Sequence, residues 1–243
     1  MPARALVLDS LGMRQGVVSP GGEPPFVVAH RAGNDLTLLR RAEHASVRLI
    51  EADLHLFAGR VEVRHLKTLG PVPVLWDRWT LASPWAPRLL LEALLEACDP
   101  GTELMLDLKG RDPRLAAMVA GALAADGSTR TVTVCSRSWP LLAPLEDAPG
   151  VRIVRSVGSR RQLAALRRTL RDRSLAGISI HRRLLDARIA AELRARSELL
   201  LAWPVATVDQ ARELGAWGVH GVITEHFESL AKALARAATP AVA

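Results

Sequence analysis

Eight apolar runs of strand length alternate with helix-period stretches between residues 26 and 238, and this regular alternation narrows the choice of fold more than any other feature. The runs are PFVVAHRA, RLIEADLHLF, TELMLDLK, RTVTVCS, VRIVRSV, LAGISIH, ELLLAWPV and GVHGVITE. Among the stretches between and after them are DLTLLRRAEHA, DPRLAAMVAGALAAD, SRRQLAALRRTL and ESLAKALARAA. Eight strands, each followed by a helix, is the count of an α/β protein of the (β/α)8 TIM-barrel type. A doubly wound sheet competes with it, but no glycine-rich phosphate fingerprint follows the first strand. The expected organisation is an N-terminal extension or barrel plug over residues 1–25, then one barrel domain over 26–240. The longest gap follows the second strand. It holds VEVRHL, expected to pair back as a hairpin, and a proline- and tryptophan-rich loop with Trp76, Trp79 and Trp85 that could cover a site.

Composition sets further bounds. At 49% hydrophobic and 23% charged residues over 243 positions, the chain suits a soluble globular protein with a sizeable core. It has no apolar run of about 18 residues, so no transmembrane segment is expected. The first residues lack the sustained apolar stretch of a secretory signal. Two cysteines, Cys98 and Cys135, make no disulfide framework, which points to a reducing, cytoplasmic setting. The net charge of +7 and pI near 10.7 would suit an anionic partner. Yet only three of the 32 basic residues are lysines, and the wealth of arginine, alanine and leucine looks like coding bias from a GC-rich genome. The densest basic stretch, SRRQLAALRRTLRDR, has helical spacing and reads as a solvated helix face. Without a nucleic-acid-binding module or aromatic interleaving, no nucleic-acid partner is expected.

The polar residues inside the strands carry the chemistry. In RLIEADLHLF, Leu49, Glu51, Asp53 and His55 share one face, opposite Ile50, Ala52, Leu54 and Leu56. In TELMLDLK, Met105, Asp107 and Lys109 share a face, and in FVVAHRA so do Val28 and His30, with Arg31 at the strand end. If the apolar sets meet the helices, the acids point into the barrel, late in their strands, where barrel enzymes build their sites. Burying three carboxylates together requires a compensating cation, and an all-oxygen set suits Mg²⁺ or Ca²⁺. His30 and His65 could flank it as acid and base, while Arg31 and Lys109 bring charge suited to a phosphate. The plainer alternative is a structural network in which Glu51 or Asp53 pairs with Arg31 or Lys109. His55 is ambiguous, His181 reads as structural, and Trp203 serves equally as core filling or a substrate wall. His44, His220 and His226 carry no signal. Cys135 and Ser136 have no base at recognisable spacing, so no nucleophile is assigned there.

On these residues the chain resembles the glycerophosphodiester phosphodiesterase family of the phospholipase C-like phosphodiesterase superfamily. The matching segments are HRA (His30, Arg31), EAD (Glu51, Asp53), His65, DLK (Asp107, Lys109), AWPV and GVHGVITE, in the family's order over nearly the whole barrel. The chain departs from the pattern at Ala32, where the family has glycine, and at Asp107, where it has glutamate. It also departs in a short first loop without Pro-Glu-Asn-Thr, and at Leu66, where aspartate would follow the second histidine. The resemblance implies metal-dependent cleavage of a small-molecule glycerophosphodiester into an alcohol and glycerol phosphate, with a place in lipid and glycerol metabolism. It implies one Mg²⁺ or Ca²⁺ on Glu51, Asp53 and Asp107, phosphate contacts from Arg31 and Lys109, His30 as base and His65 as acid. The attacking group is either water or a neighbouring substrate hydroxyl that closes a cyclic phosphate. The departures leave open a catalytically degenerate barrel that binds phosphorylated ligands or a partner. The tryptophan-bearing loop leaves open a phospholipid substrate met by peripheral membrane contact.

Overall fold

The computed structural model describes residues 24–45, 47–69, 72–76, 81–82, 88–127 and 130–238. Eight parallel strands close into a barrel: β1 (Phe26–Ala29), β2 (Leu49–Phe57), β3 (Leu104–Leu108), β4 (Val132–Ser136), β5 (Val151–Val157), β6 (Leu175–His181), β7 (Ser197–Trp203) and β8 (Gly221–Thr224). Closure comes from β1, which pairs with β8 from Phe26↔Gly221 to Ala29↔Thr224 and with β2 at Val28↔Leu49 and Ala29↔Ile50. Around the barrel lie α1 (Leu36–His44), α2 (Leu91–Ala97), α3 (Arg114–Asp126), α4 (Arg160–Asp172), α5 (Ala187–Arg194), α6 (Val208–Ala216) and α7 (Phe227–Ala238). Side-chain caps start several of them. Asp35 accepts from Leu38 N, Ser159 from Gln162 N, Asp186 from Ile189 N and Thr207 from Gln210 N, each satisfying an N–H that has no partner within its helix. No helix among the described residues is long and apolar enough to cross a membrane.

One β–α unit differs from the even alternation. After β4 the chain forms a 3-10 helix at Trp139–Leu145 instead of an α-helix. Pro140 starts it and Pro144 lies inside it; neither has the N–H that an α-helical ladder would use. The basic stretch around α4 is the expected half-solvated helix, with Leu163, Leu166 and Leu170 buried beneath it.

The gap after β2 folds back as the VEVRHL segment suggests. Strand Arg60–Val63 pairs antiparallel with β2, from Leu54↔Val63 to Phe57↔Arg60, across a turn in which Ala58 and Gly59 both have positive φ. It pairs in turn with Leu89–Leu90. Lys67–Leu69, Val72–Trp76 and Leu81–Ala82 form a separate three-stranded antiparallel sheet. Trp76 ends the middle strand; Trp79 and Trp85 lie outside the described residues, as do residues 1–23, which hold most of the expected extension or plug.

Two apolar cores result from the period-two alternation of the strands. The larger lies between barrel and helices and takes Ile50, Ala52, Leu54, Leu104, Leu106 and Leu108 from β2 and β3. The smaller fills the barrel axis with Val28, Leu49, Met105, Cys135, Val154, Leu199, Leu201 and Ile223. Glu51, Asp53 and Asp107 alternate with the first set, so they stand on the axis above the second. Trp203 packs partly buried against this inner core.

At the base of the barrel Phe26 occupies space that Gly221 leaves free. A Cβ on residue 221 would stand 2.5 Å from the Phe26 ring and 2.8 Å from Leu201. Gly221→Ala is therefore expected to overpack the floor and cost about 1–3 kcal/mol, read as a lower urea midpoint. An unchanged midpoint would show that Phe26 moves aside freely.

Candidate functional site

Five segments meet at the C-terminal mouth of the barrel. β2 and β3 run in register with Glu51 beside Met105 and Asp53 beside Asp107, so two of the three acids are lateral neighbours. Glu51 and Asp53 are buried at 4% and 1% exposure, and the ligand atoms of Glu51, Asp53 and Asp107 all lie within 4.8 Å of one another. Lys109 reaches back across them: its Nζ contacts Asp107 and lies 2.5 Å from Asp53 Oδ1.

The loop after β1 is shaped to this cluster. Arg31 adopts a left-handed conformation, φ 58°, which non-glycine residues seldom take. In this conformation its backbone N–H donates to Glu51 Oε2 at 2.6 Å. Its guanidinium Nε stands 3.7 Å from Asp53 Oδ2, and its Nη1 stands 3.3 Å from Glu225 Oε1. Asn34 grips Asp53 twice: its Nδ2 donates to Asp53 Oδ2 at 2.9 Å, and its Oδ1 accepts from Asp53 N at 2.8 Å. Gly33 lies directly beneath, where a Cβ would come within 2.8 Å of Ala52 Cβ, so the loop can press on β2 only with glycine at that point.

The two imidazoles flank the acids from opposite sides. His30 Nδ1 is 3.3 Å from Glu225 Oε1 at the end of β8, and His65 Nδ1 is 3.3 Å from Asp53 Oδ2. His65 follows the hairpin strand, whose exit is tied down by Arg64 N donating to Asp53 O at 2.9 Å. The buried Arg64 side chain bonds Glu62 at 2.5 Å and the Leu66 carbonyl, which fixes the turn carrying His65. His55 is half-buried, lies opposite Glu62 on the hairpin and makes no hydrogen bond to the three acids.

The electrostatics follow from one ammonium serving three clustered carboxylates, two buried and one half-buried. Burial pushes the Glu51 carboxyl well up, and the nearby Asp53 charge adds to that. Burial raises Asp107 also, against the pull of Lys109. For Asp53 burial acts the same way, but the His65, Lys109 and Asn34 contacts outweigh it and hold its carboxyl far below the usual range. Lys109 is desolvated too, yet Asp107, Asp53 and Glu51 hold it firmly protonated. Burial, aided by Arg31, pushes His30 down to about 4, so its imidazole is neutral at pH 7.

A divalent cation fits these donors. Two oxygens at 2.0–2.6 Å on opposite sides of one ion stand at most about 5 Å apart, which accommodates this set. Asp107 Oδ1 is buried without a hydrogen-bond partner, although the weakly donating Cys135 thiol acts on the carboxyl. The structural ion network that the sequence allows does exist, but it leaves the acids in excess. Glu51, Asp53 and Asp107 could therefore hold a metal ion.

The structure brings together all seven residues singled out in the sequence: His30, Arg31, Glu51, Asp53, His65, Asp107 and Lys109. It adds Asn34 and Glu225. Glu225 continues the inward alternation Gly221, Ile223 in GVITE and was legible on that ground. Asn34 had no sequence signal, because its role depends on the αL turn at Arg31. Other polar groups are engaged in the framework. His220 Nδ1 accepts from Leu200 N at 2.8 Å, and Ser136 Oγ donates to the Leu108 carbonyl at 2.8 Å.

The barrel is similar to solved glycerophosphodiester phosphodiesterases. The enzyme of Parabacteroides distasonis superposes with TM-score 0.70 at 18% identity, covering 90% of this chain and 100% of that one. An Oleispira antarctica phosphodiesterase in complex with the product sn-glycerol-3-phosphate matches with TM-score 0.69 at 17% identity, covering 87% and 97%. The Thermotoga maritima enzyme matches with TM-score 0.65 at 18% identity, covering 86% and 98%. No family model matches the sequence, and no curated protein does. What is shared at this identity is the barrel fold.

Calorimetry on chelator-stripped protein should detect one Mg²⁺ or Ca²⁺ per chain. Asp107→Asn should weaken that binding roughly tenfold or more while the protein stays folded. Asp107→Glu, which keeps the charge, should bind nearly as well. Equal affinity in the wild type and Asp107→Asn would remove Asp107 from the site.

Proposed function

We propose that the chain is a metal-dependent phosphodiesterase that cleaves glycerophosphodiesters into an alcohol and glycerol phosphate. The observation that carries this reading is the cluster of three acids at the barrel mouth, two of them buried, with two imidazoles and two cationic side chains around it. Likeness to barrels of that enzyme class supports it, as does the sn-glycerol-3-phosphate held by the Oleispira antarctica enzyme.

Glu51, Asp53 and Asp107 would hold one Mg²⁺ or Ca²⁺. A cation bound there supplies Lewis-acid stabilisation of the charge that develops on the phosphoryl oxygens. Arg31 and Lys109 bind the same phosphoryl group, the guanidinium from the rim and the ammonium from the floor. With Lys109 already committed to Asp53 and Asp107, a bound phosphate shares its protons with them. His30 is neutral at pH 7 and therefore able to accept the proton of the attacking hydroxyl. Glu225 at Nδ1 orients the ring and leaves Nε2 for that proton. His65 gives a proton to the departing alcohol oxygen, with Asp53 at its Nδ1 orienting the ring. The attacking hydroxyl is that of water or of the substrate itself.

A panel of glycerophosphodiesters should be hydrolysed with Mg²⁺ or Ca²⁺ and not in excess chelator. Full turnover after complete metal removal would refute the reading. His30→Ala and His65→Ala should each lower kcat by about 10²–10⁴-fold with the fold intact. His55→Ala should do much less, and the reverse ranking would mean that His55 is the second imidazole.

A further inference from the structure

The mouth has a second side that the phosphodiesterase reading does not use. In barrel order β4, β5 and β6 lie across from β1 and β2, and their C-terminal ends carry Arg137, Gly158, His181, Arg182 and Arg183. Two guanidinium groups converge on Gly158. That of Arg137 lies so close that a Cβ on residue 158 would stand 2.8 Å from its Nη2, and Arg183 Nη2 donates to the Gly158 carbonyl at 3.2 Å. Gln162 locks the two strand ends together, its Nε2 donating to the Arg137 carbonyl and its Oε1 accepting from Gly158 N, both at 2.9 Å. His181 accepts at Nδ1 from Arg183 N at 3.2 Å and meets Trp203 edge-on at 4.8 Å, so Trp203 lies between this rim and the barrel axis.

Some surface arginines meet acids: Arg40 with Glu43 and Asp99, Arg41 with Glu228, Arg114 with Asp112, Arg167 with Glu192. Among the described residues Arg137, Arg182 and Arg183 meet none. Burial and then the charges of Arg183, Arg182 and Arg137 hold the His181 imidazole below its ordinary range, and no acid opposes them. Like charges held near one glycine repel, and an anion between them would relieve that repulsion. The guanidinium fork suits the geometry of a phosphate.

We propose that Arg137 and Arg183, which converge on Gly158, with Arg182 next to them in the chain, form a second anion subsite that selects phosphodiesters whose alcohol half carries a further phosphate group. The diester phosphate lies at the acid cluster, the alcohol half crosses the mouth past Trp203, and its terminal phosphate meets the arginines. The choice of substrate rests on the phosphodiesterase reading; the anion subsite does not.

The test compares kcat/KM for a glycerophosphodiester with a phosphomonoester-terminated alcohol half against that for glycerophosphocholine. Two or three partly exposed ion pairs should favour the first by roughly five- to thirtyfold. The double variant Arg137→Gln/Arg183→Gln should bring the ratio close to one. Gly158→Ala should lower it while keeping every charge, because the new methyl displaces the Arg137 guanidinium. A ratio that neither change moves would overturn the proposal. If no diester is turned over, the phosphodiesterase reading fails, and inorganic phosphate titrated into chelator-stripped protein decides the subsite. A dissociation constant roughly fivefold higher in the double variant would support it, and equal affinity would overturn it.

Discussion

Among the described residues Lys109 is the one ammonium at three clustered carboxylates, two of them buried, and most of the mouth is arranged around that imbalance. Removing a carboxylate from water is costly unless charge or hydrogen bonds compensate it. The chain compensates Asp53 most fully, with Asn34, His65 and Lys109 all turned toward it. Glu51 receives one backbone N–H, and Asp107 keeps a buried oxygen without a conventional partner. The αL turn at Arg31 belongs to the same account, because an unusual backbone conformation is held where it satisfies a buried charge.

This arrangement depends on barrel closure. Glu51 and Asp53 on β2 face Asp107 on β3 only because the two strands pair in register. His30, Arg31 and Glu225 reach them only because β1 bonds both β2 and β8. Beneath them the apolar floor of Val28, Leu49, Met105 and Ile223 keeps water from the lower side, so the charges interact in a medium of low polarisability. The floor itself requires close packing, with glycine at 221 making room for Phe26. The mouth is divided by charge: the acids and their partners occupy the β1–β3 side and β8, and on the β4–β6 side stand arginines that meet no acid among the described residues.

Much of this was legible before any coordinates. Period-two alternation assigns every side chain of a strand to one of two faces, so Glu51, Asp53, Asp107 and Lys109 could be set on the axis from sequence alone. The hairpin after β2 was readable from the VEVRHL pattern and the intervening Ala58-Gly59 turn. The 3-10 helix after β4 was not anticipated, although Pro140 and Pro144 announce it, because the count of alternating units suggested an α-helix there. Glu225 lies on a readable face, but its contacts with His30 and Arg31 depend on β1 pairing with β8. Asn34 lay in a loop judged only by its shortness, and no periodicity reports on loops.

The sequence by itself determined the strands, their buried faces and the residue types that chemistry at the mouth needs, because those follow from local periodicity and from the cost of burying charge. Tertiary structure decided which groups touch. The double grip of Asn34 on Asp53, the ring of His30 against Glu225 and the meeting of Arg137 with Arg183 at Gly158 all join residues far apart in the chain. Such contacts are set by barrel closure and strand register, which no local pattern encodes.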